Sequence, residues 1–144
     1  MYELVKKKSP AVKIIGSVFL LFIITSLLKY IVNGTRGNVK AELIKTASDM
    51  NRHMPVFIDS TTRLDNISYV PDNLLQYNYS FTNHTKEEID TAALSSAARK
   101  SVIELTKSNP KADYFRENKI DLSISYRDKN GEMIETIAVR HGEY

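Results

Sequence analysis

The densest group of chemically capable side chains in this sequence surrounds one arginine. Arg63 stands between two carboxylates, Asp59 and Asp65, in the run DSTTRLD that covers residues 59–65. A guanidinium with carboxylates on both sides can clamp a ligand or contact a partner protein, because charge-assisted hydrogen bonds are strong and directional. The same side chains can instead pair with one another and tie the first helix to the sheet. The sequence favours this structural interpretation and leaves partner binding by Asp59, Arg63 and Asp65 open.

Residue types that usually carry catalysis or bind metals are sparse and scattered. His53, His84 and His141 lie far apart, and none has a second ligand at helical spacing, so no metal site is predicted. The sequence has no cysteine, which excludes a thiolate ligand, a cysteine nucleophile and a disulfide framework. The five glycines fall singly and form neither a phosphate-binding loop nor a nucleophile elbow. We therefore predict a non-enzymatic protein with no catalytic residue, metal or cofactor.

Two other groups of side chains have structural explanations. Thr85 and Glu88 have the spacing of a capping box, in which each side chain accepts a hydrogen bond from the backbone of the other residue at a helix start. Tyr77, Tyr79 and Phe81 alternate along one predicted strand. They could form a stacking platform, but a stripe of this kind is more often core. We predict Thr85 and Glu88 as structural caps and the aromatic stripe as part of the core.

Two helices are predicted to position these residues. Apolar residues recur at spacings of three and four over residues 39–54, and Pro55 ends that pattern. The pattern lasts only about two heptads, so a core-facing helix is favoured over a coiled-coil seam. A second helix is predicted from Thr85 to Asn109, with alanines that let it lie close to a sheet.

Four strands in two hairpins complete the predicted domain. They are predicted over residues 61–70, 75–82, 120–126 and 133–140. The pair Asn130-Gly131 is a strong hairpin signal, and the alternation slips between Leu64 and Ile67, which predicts a bulge or a break in the strand. The predicted fold is therefore α+β: an N-terminal transmembrane helix, then helix, hairpin, helix and hairpin, with one antiparallel four-stranded sheet packed on helices.

The transmembrane prediction rests on the apolar residues 11–33. No charge occurs from Ile14 to Leu28, and a helix rising about 1.5 Å per residue needs about 20 residues to cross a hydrocarbon core of about 30 Å. A cleaved signal peptide is the alternative, but residues 29–34 offer no small-x-small cleavage site. An uncleaved anchor is therefore favoured.

Charge predicts the orientation of the anchor and argues against one class of partner. Residues 1–40 carry seven Lys or Arg and one Glu, so residues 41–144 sum to −3. That balance argues against nucleic-acid binding by the domain, which would need clustered positive charge. The positive-inside bias places residues 1–10 in the cytoplasm as a basic tail. Residues 34–38 then form a linker, and residues 39–144 form a soluble domain on the periplasmic side.

One stretch resembles a group of small, single-span, envelope-facing bacterial proteins of unassigned role. The residues that carry the resemblance are Met50, Asn51, Pro55, Asp59, Thr62, Arg63, Leu64 and Asp65, followed by Tyr77 and Tyr79. The likeness covers about residues 45–82 and implies no catalytic residues. The order of elements is also similar to NTF2-like periplasmic domains of type IV secretion assembly factors, in architecture alone.

These observations favour a membrane-anchored, periplasm-facing binding or adaptor subunit of an envelope complex at the bacterial inner membrane. The predicted partners are membrane lipid, through residues 11–33, and another envelope protein or a second copy of the chain; nucleic acid is not a predicted partner. Three alternatives stay open: an envelope immunity protein against a toxin, an NTF2-like domain that binds a small ligand or is enzymatic, and a self-associating scaffold.

Overall fold

The computed structural model describes residues 38–144, in which three α-helices and five β-strands occur. The elements are α1 (Val39–Asn51), β1 (Val56–Phe57), β2 (Thr62–Val70), β3 (Leu74–Phe81), α2 (Thr91–Ser108), α3 (Asp113–Glu117), β4 (Asp121–Arg127) and β5 (Met133–Val139). Short 3₁₀ turns occupy Lys86–Glu88, Pro110–Ala112 and His141–Glu143. The α+β composition agrees with the prediction, but the sheet differs from it.

The strands of the described residues form one mixed sheet in chain order, from β1 to β5. Neighbouring strands are antiparallel except at the centre, where β3 and β4 are parallel. The predicted antiparallel four-stranded sheet is therefore wrong in strand number and in direction. A hairpin reverses the chain, but a crossover through a helix returns it in the original direction, and α2 makes that crossover. The additional strand, β1, has two residues and leaves no periodic pattern to detect.

The predicted irregularity in β2 is confirmed. Leu64 and Asn66 pair with consecutive residues of β3, so Asp65 is the extra residue of a β-bulge. Leu64 and Ile67 are both buried although they are three positions apart, which a regular strand does not allow. The bulge thus keeps both residues in the core and places Asp65 beside Arg63 on the other face of the sheet.

One hydrophobic core joins the helices to the sheet. The helix residues buried in it are Leu43, Ala47 and Met50 of α1, Leu94, Ala98 and Val102 of α2, and Phe115 of α3. They pack with strand residues that include Leu64, Ile67, Leu75, Tyr77, Tyr79, Phe81, Leu122, Ile124, Tyr126, Ile137 and Val139. Because α1, α2 and α3 contribute to the same cluster, they lie on one face of the sheet. The apolar stripe of α1 is therefore occupied within the domain.

Both long helices differ from their predicted bounds. α1 ends at Asn51, three residues before Met54, and a cis peptide bond joins Met54 to Pro55. α2 begins at Thr91, because the side chain of Asp90 accepts a hydrogen bond from a backbone N–H of the first turn at 3.2 Å and caps the helix there.

The turn between β4 and β5 is tied to the segment before α2. Gly131 adopts φ +83°, a left-handed value that glycine tolerates without strain. The carboxylate of Asp128 accepts hydrogen bonds from the amides of Asn130 and Glu132 at 2.8 Å each and from the amide of Lys86 at 3.1 Å. One buried side chain therefore closes the hairpin and anchors it to a distant part of the chain.

The transmembrane helix of the predicted architecture has no counterpart in the part of the chain that the structure describes. None of the helices within residues 38–144 has both the length and the apolar character needed to cross a bilayer. The predicted basic tail (1–10), anchor (11–33) and all but the last residue of the predicted linker (34–38) lie outside the described residues.

Candidate functional site

The sheet has an inner face filled by the core and an outer face that none of the described helices covers. Directly opposed residues on neighbouring strands point to the same face, so the pairing register identifies the outer-face positions. They include Arg63, Asn66, Ser68, Gln76, Asn78, Ser80, Ser123, Ser125, Arg127, Thr136 and Ala138. This largely polar face is the candidate functional surface of the domain.

The middle of the outer face is a ladder of amide and hydroxyl side chains. The Nδ2 group of Asn78 donates to Oδ1 of Asn66 at 2.7 Å, and its Oδ1 accepts from Gln76 at 2.9 Å. The hydroxyl of Ser68 also donates to Asn66, at 3.3 Å. These groups use much of their hydrogen-bonding capacity on one another, which leaves less of it for a ligand.

One end of the outer face carries a row of paired residues that crosses all five strands. Phe57 pairs with Arg63, Arg63 with Ser80, Ser80 with Arg127, and Arg127 with Met133. We refer to these five residues as the end row. Two exposed apolar side chains, Phe57 and Met133, therefore lie at the ends of a polar, arginine-containing centre.

The structure brings Arg63 and Asp65 together within this region. Nε of Arg63 donates to Oδ1 of Asp65 at 2.6 Å, and the hydroxyl of Ser80 donates to Oδ2 of the same carboxylate at 2.5 Å. The bulge makes this contact, because it turns Asp65 to the side on which Arg63 and Ser80 lie. Asp65 therefore fixes Arg63 against the sheet while the arginine side chain stays partly exposed.

Asp59 does not join that pair. Its Oδ1 accepts hydrogen bonds from the amides of Thr61 and Thr62, at 2.7 and 2.9 Å, and from the hydroxyl of Thr61 at 2.9 Å. These contacts close the turn between β1 and β2, as aspartate side chains commonly do in loops. The carboxylate of Asp59 is thus occupied by its own turn, four residues before Arg63, which lies on the outer face.

Thr85 and Glu88 lie at a 3₁₀ turn and not at the start of α2. The amide of Thr85 donates to Oε2 of Glu88 at 2.7 Å, and the amide of Glu88 donates to the carbonyl of Thr85 at 3.1 Å. The backbone hydrogen bond from Thr85 lowers the pKa of the Glu88 carboxyl. The pair therefore shapes the approach to α2, while Asp90 caps the helix itself.

A charged cluster that the sequence analysis missed joins the ends of β4 and β5. The carboxylate of Asp121 accepts from Nη1 of Arg140 at 2.7 Å and from the amide of His141 at 2.8 Å, and Nδ1 of His141 lies 2.8 Å from it. The pairing register of the β4–β5 hairpin could have predicted this contact. Leu122 pairs with Val139, which places Asp121 beside Arg140. His141 therefore has a partner that sequence spacing alone does not reveal.

Electrostatics favour the ionised form of Asp121. Burial raises the pKa of this carboxyl, but hydrogen bonds from Arg140 and His141 outweigh that effect and hold the pKa below its usual value. The hydroxyl of Tyr144 also donates to the carbonyl of Ile120, so the last residues of the chain are fastened to the start of β4. We interpret this cluster as a clasp for the C-terminal segment.

The aromatic stripe lies in the core. Tyr77, Tyr79 and Phe81 are buried, and the rings of Tyr79 and Phe81 each stack on Tyr126, with centroids 5.5 and 5.6 Å apart. Burial raises the pKa of Tyr77 and Tyr79 well above the usual value. The hydroxyls of Tyr77 and Thr62 are buried without a hydrogen-bond partner. None of these rings is available to stack on a ligand at the surface.

Metal-binding geometry is absent from the described residues. Within residues 38–144, no three His, Cys, Asp or Glu side chains are grouped so that they could hold an ion. In the clearest polar clusters, the carboxylate accepts hydrogen bonds from backbone amides; these clusters are centred on Asp59, Asp121 and Asp128. The exposed Phe57, Arg127 and Met133, which sequence reasoning missed, make the end row the most distinctive surface feature.

Comparison with known proteins identifies a family and a fold. The family model DUF8479, described as a domain of unknown function, matches residues 38–134. No curated protein matches the sequence.

Solved structures with the same fold include two pilotins of type II secretion systems. EpsS from Vibrio vulnificus has a TM-score of 0.57 and 12% identity, over 73% of this chain and 90% of its own. AspS from Vibrio cholerae has a TM-score of 0.54 and 11% identity, over 74% and 93%. A presumed secreted protein from Pseudomonas aeruginosa has a TM-score of 0.52 and 16% identity, over 76% and 98%. At these identities the likeness establishes the fold.

Proposed function

The chain belongs to the DUF8479 family, and from that starting point we propose that it is a non-enzymatic adaptor domain of a bacterial envelope complex. In this proposal the domain faces the periplasm and binds another envelope protein through its folded surface. The family description assigns no activity. The proposal therefore depends on the fold and on the hydrogen bonds that the polar side chains make within the domain.

The observation that carries the proposal is the fold shared with two secretion-system pilotins over at least nine tenths of their chains. The presumed secreted protein with the same fold is also consistent with an exported location. A fold alone does not determine a function, but the fold of these secretion-system proteins is consistent with the envelope adaptor expected from the sequence.

The polar side chains of the domain support a binding role over catalysis. The carboxylates of Asp59, Asp121 and Asp128 accept hydrogen bonds from backbone amides of their own turns or termini. A catalytic site instead needs a nucleophile or base aimed at a space where a substrate can lie. Exposed side chains that these turns do not use include Asn66 and Arg127 on the outer face, and Phe57 and Met133 at the ends of the end row.

Reciprocal affinity capture tests the adaptor function. The full chain, tagged at Tyr144 and expressed at its native level, is lightly cross-linked in cells and purified from detergent extracts. We expect one envelope protein to copurify in near-stoichiometric amount, and the tagged partner to recover this chain in return. Deletion of this chain should lower the amount of that partner or change its location.

The control is an unrelated exported protein that carries the same tag at the same level. The adaptor function would be refuted if capture of the tagged chain recovered no other envelope protein and if deletion of the chain changed no envelope protein in amount or location. The proposed location has its own test, a reporter fused after Tyr144. An exported phosphatase should be active there and a cytoplasmic fluorophore dark, and the opposite pattern would place the domain in the cytoplasm.

A further inference from the structure

We propose that the end row is the docking surface for a protein segment that carries a carboxylate flanked by apolar side chains. This inference rests on the proposed adaptor function and names the surface and the partner chemistry that would perform it. The end row is Phe57, Arg63, Ser80, Arg127 and Met133, one residue from each strand.

The inner face and one point on each of two strands make contacts within the domain. The core fills the inner face. On the β2 edge, the side chain of Asn51 binds both backbone groups of Ile67. On the β5 edge, Arg99 donates to the carbonyl of Ala138 at 2.7 Å. A partner strand added at either of these points would have to displace the contacts, which favours the outer face as the binding surface.

Two exposed apolar side chains supply the anchors of the end row. Phe57 is 62% exposed and Met133 is 39% exposed. Only two other large apolar side chains within residues 38–144 are comparably exposed, Ile44 and Val56, and Val56 directly precedes Phe57. Binding energy at protein interfaces concentrates in a few such side chains once a partner buries them.

The charge between these anchors favours a carboxylate. Arg63 is already neutralised by Asp65 at 2.6 Å. Arg127 is exposed, and Nη1 donates to the carbonyl of Gly131 at 2.9 Å, but no carboxylate of residues 38–144 lies within ion-pair distance of it. A guanidinium can bind a carboxylate through two parallel hydrogen bonds. Arg127 is thus the group in the end row with capacity left for an acidic partner.

The spacing suits a short segment of a partner protein. Neighbouring strands lie about 4.8 Å apart, so the end row spans about 19 Å from Phe57 to Met133. An extended segment of about six residues covers that length at about 3.3 Å per residue. One acidic side chain near Arg127 and apolar side chains near Phe57 and Met133 would complement the row.

Charge also decides between this partner and two others. A second copy packed face to face in an antiparallel manner would set Arg63 of one chain against Arg127 of the other, which like charges oppose. An anionic membrane is disfavoured because residues 41–144 carry 16 acidic and 13 basic residues. An acidic and apolar protein segment agrees with both the local positive charge and the apolar anchors.

Photo-cross-linking of the full chain in native cells tests the surface. The probe, p-benzoylphenylalanine, replaces Phe57 or Met133 in turn, and Ile44 on α1 serves as the control position because it is also apolar and exposed. We expect positions 57 and 133 to cross-link to the same segment of one other protein, within a few residues of an Asp or Glu. Position 44 should give no such product.

The segment identified in this way is then synthesised as a labelled peptide for binding measurements. Arg127→Glu should weaken binding at least tenfold, and a peptide with Lys in place of its acidic residue should restore it. Lys45→Glu, an equal charge change at an exposed position of α1, should leave binding unchanged. Thermal melting of each variant shows that the fold is intact.

Three results would overturn the docking surface. One is cross-linking from positions 57 and 133 to lipid, to a second copy or to residues 1–37 of the same chain. Another is a partner that cross-links from position 44 alone, which would refute the surface while the adaptor function stands. The third is unchanged peptide binding by Arg127→Glu. Failure of reciprocal capture would instead refute the adaptor function itself.

Discussion

Asn51, the last residue of α1, holds the backbone of Ile67 through both ends of its carboxamide. Nδ2 donates to the carbonyl of Ile67 at 2.7 Å, and Oδ1 accepts from its amide at 2.8 Å. The side chain thereby occupies the position that a neighbouring strand would take beside β2. It fastens α1 to the sheet at a point that β1, which pairs only with Arg63 and Leu64, does not reach.

Asn51→Ala should lower the free energy of unfolding by about 2 kcal/mol, because two partly buried backbone groups of Ile67 lose their partners. Urea denaturation of the purified protein measures the change. Asn66→Ala removes an exposed side chain whose hydrogen bonds from Asn78 and Ser68 water can replace, so it should cost less than about 1 kcal/mol. Equal effects of the two variants would contradict a special role for Asn51.

The ion pairs and hydrogen bonds of Asp121 should make the free energy of unfolding depend on pH in the acidic range. The pKa of the folded state lies below its usual value, so the carboxylate stabilises the fold above about pH 4, the pKa of the unfolded chain. That contribution disappears as pH falls through the lower pKa of the folded state. Asp121→Asn should therefore cost about 1 to 2 kcal/mol at pH 7.

The difference between wild type and Asp121→Asn should shrink as pH falls from 5 to 2, as measured by thermal melting across that range. Asp72→Asn is a matched control, because Asp72 is exposed in the turn between β2 and β3. A difference in melting temperature that stayed constant with pH would show that Asp121 acts by packing and not by charge.

Asp59 and Arg63 should differ in how much each side chain stabilises the fold. Asp59→Ala removes the acceptor of three hydrogen bonds in one turn, so we expect a loss of about 1 kcal/mol. Arg63→Ala removes a partly exposed ion pair and should cost less than about 1 kcal/mol. Urea denaturation measures both. A larger loss for Arg63→Ala would indicate that this residue is mainly structural.

The start of α2 should depend on Asp90 and much less on Glu88. Asp90→Ala removes the cap of an 18-residue helix and should lower the free energy of unfolding by about 1 kcal/mol. Glu88→Ala affects an exposed 3₁₀ turn outside the helix and should have a smaller effect. Circular dichroism during thermal unfolding compares the two. A larger loss of stability for Glu88→Ala would instead support a helix start at Thr85, as the capping-box spacing predicts.

The local patterns in the sequence predict most elements, but not how the two halves join. Alternation through Tyr77 and Phe81 identifies β3, and the slip near Asp65 identifies the bulge. The direction of β4 beside β3 has no such signal, because parallel and antiparallel strands share a period of two. The two-residue strand at Phe57 is too short for any period.

The candidate site was only partly predictable for a related reason. Proximity in sequence pointed to Asp59, Arg63 and Asp65, and the structure brings the last two together. Arg127 and Met133 reach the same row only through pairings across strands. Exposed apolar residues such as Met133 leave no distinctive local pattern. Asp59 was misleading because its nearest partners are backbone amides, which a sequence pattern does not reveal.

The parallel pairing of β3 and β4 constrains how the chain can acquire its structure. Leu74 lies beside Asp121, so the central seam cannot close until almost the whole domain has been synthesised. Until then the first hairpin lacks a neighbour on one side and presents an unpaired edge. A fragment that stops before β4 should therefore be aggregation-prone, and neither half should persist as an independent folding unit.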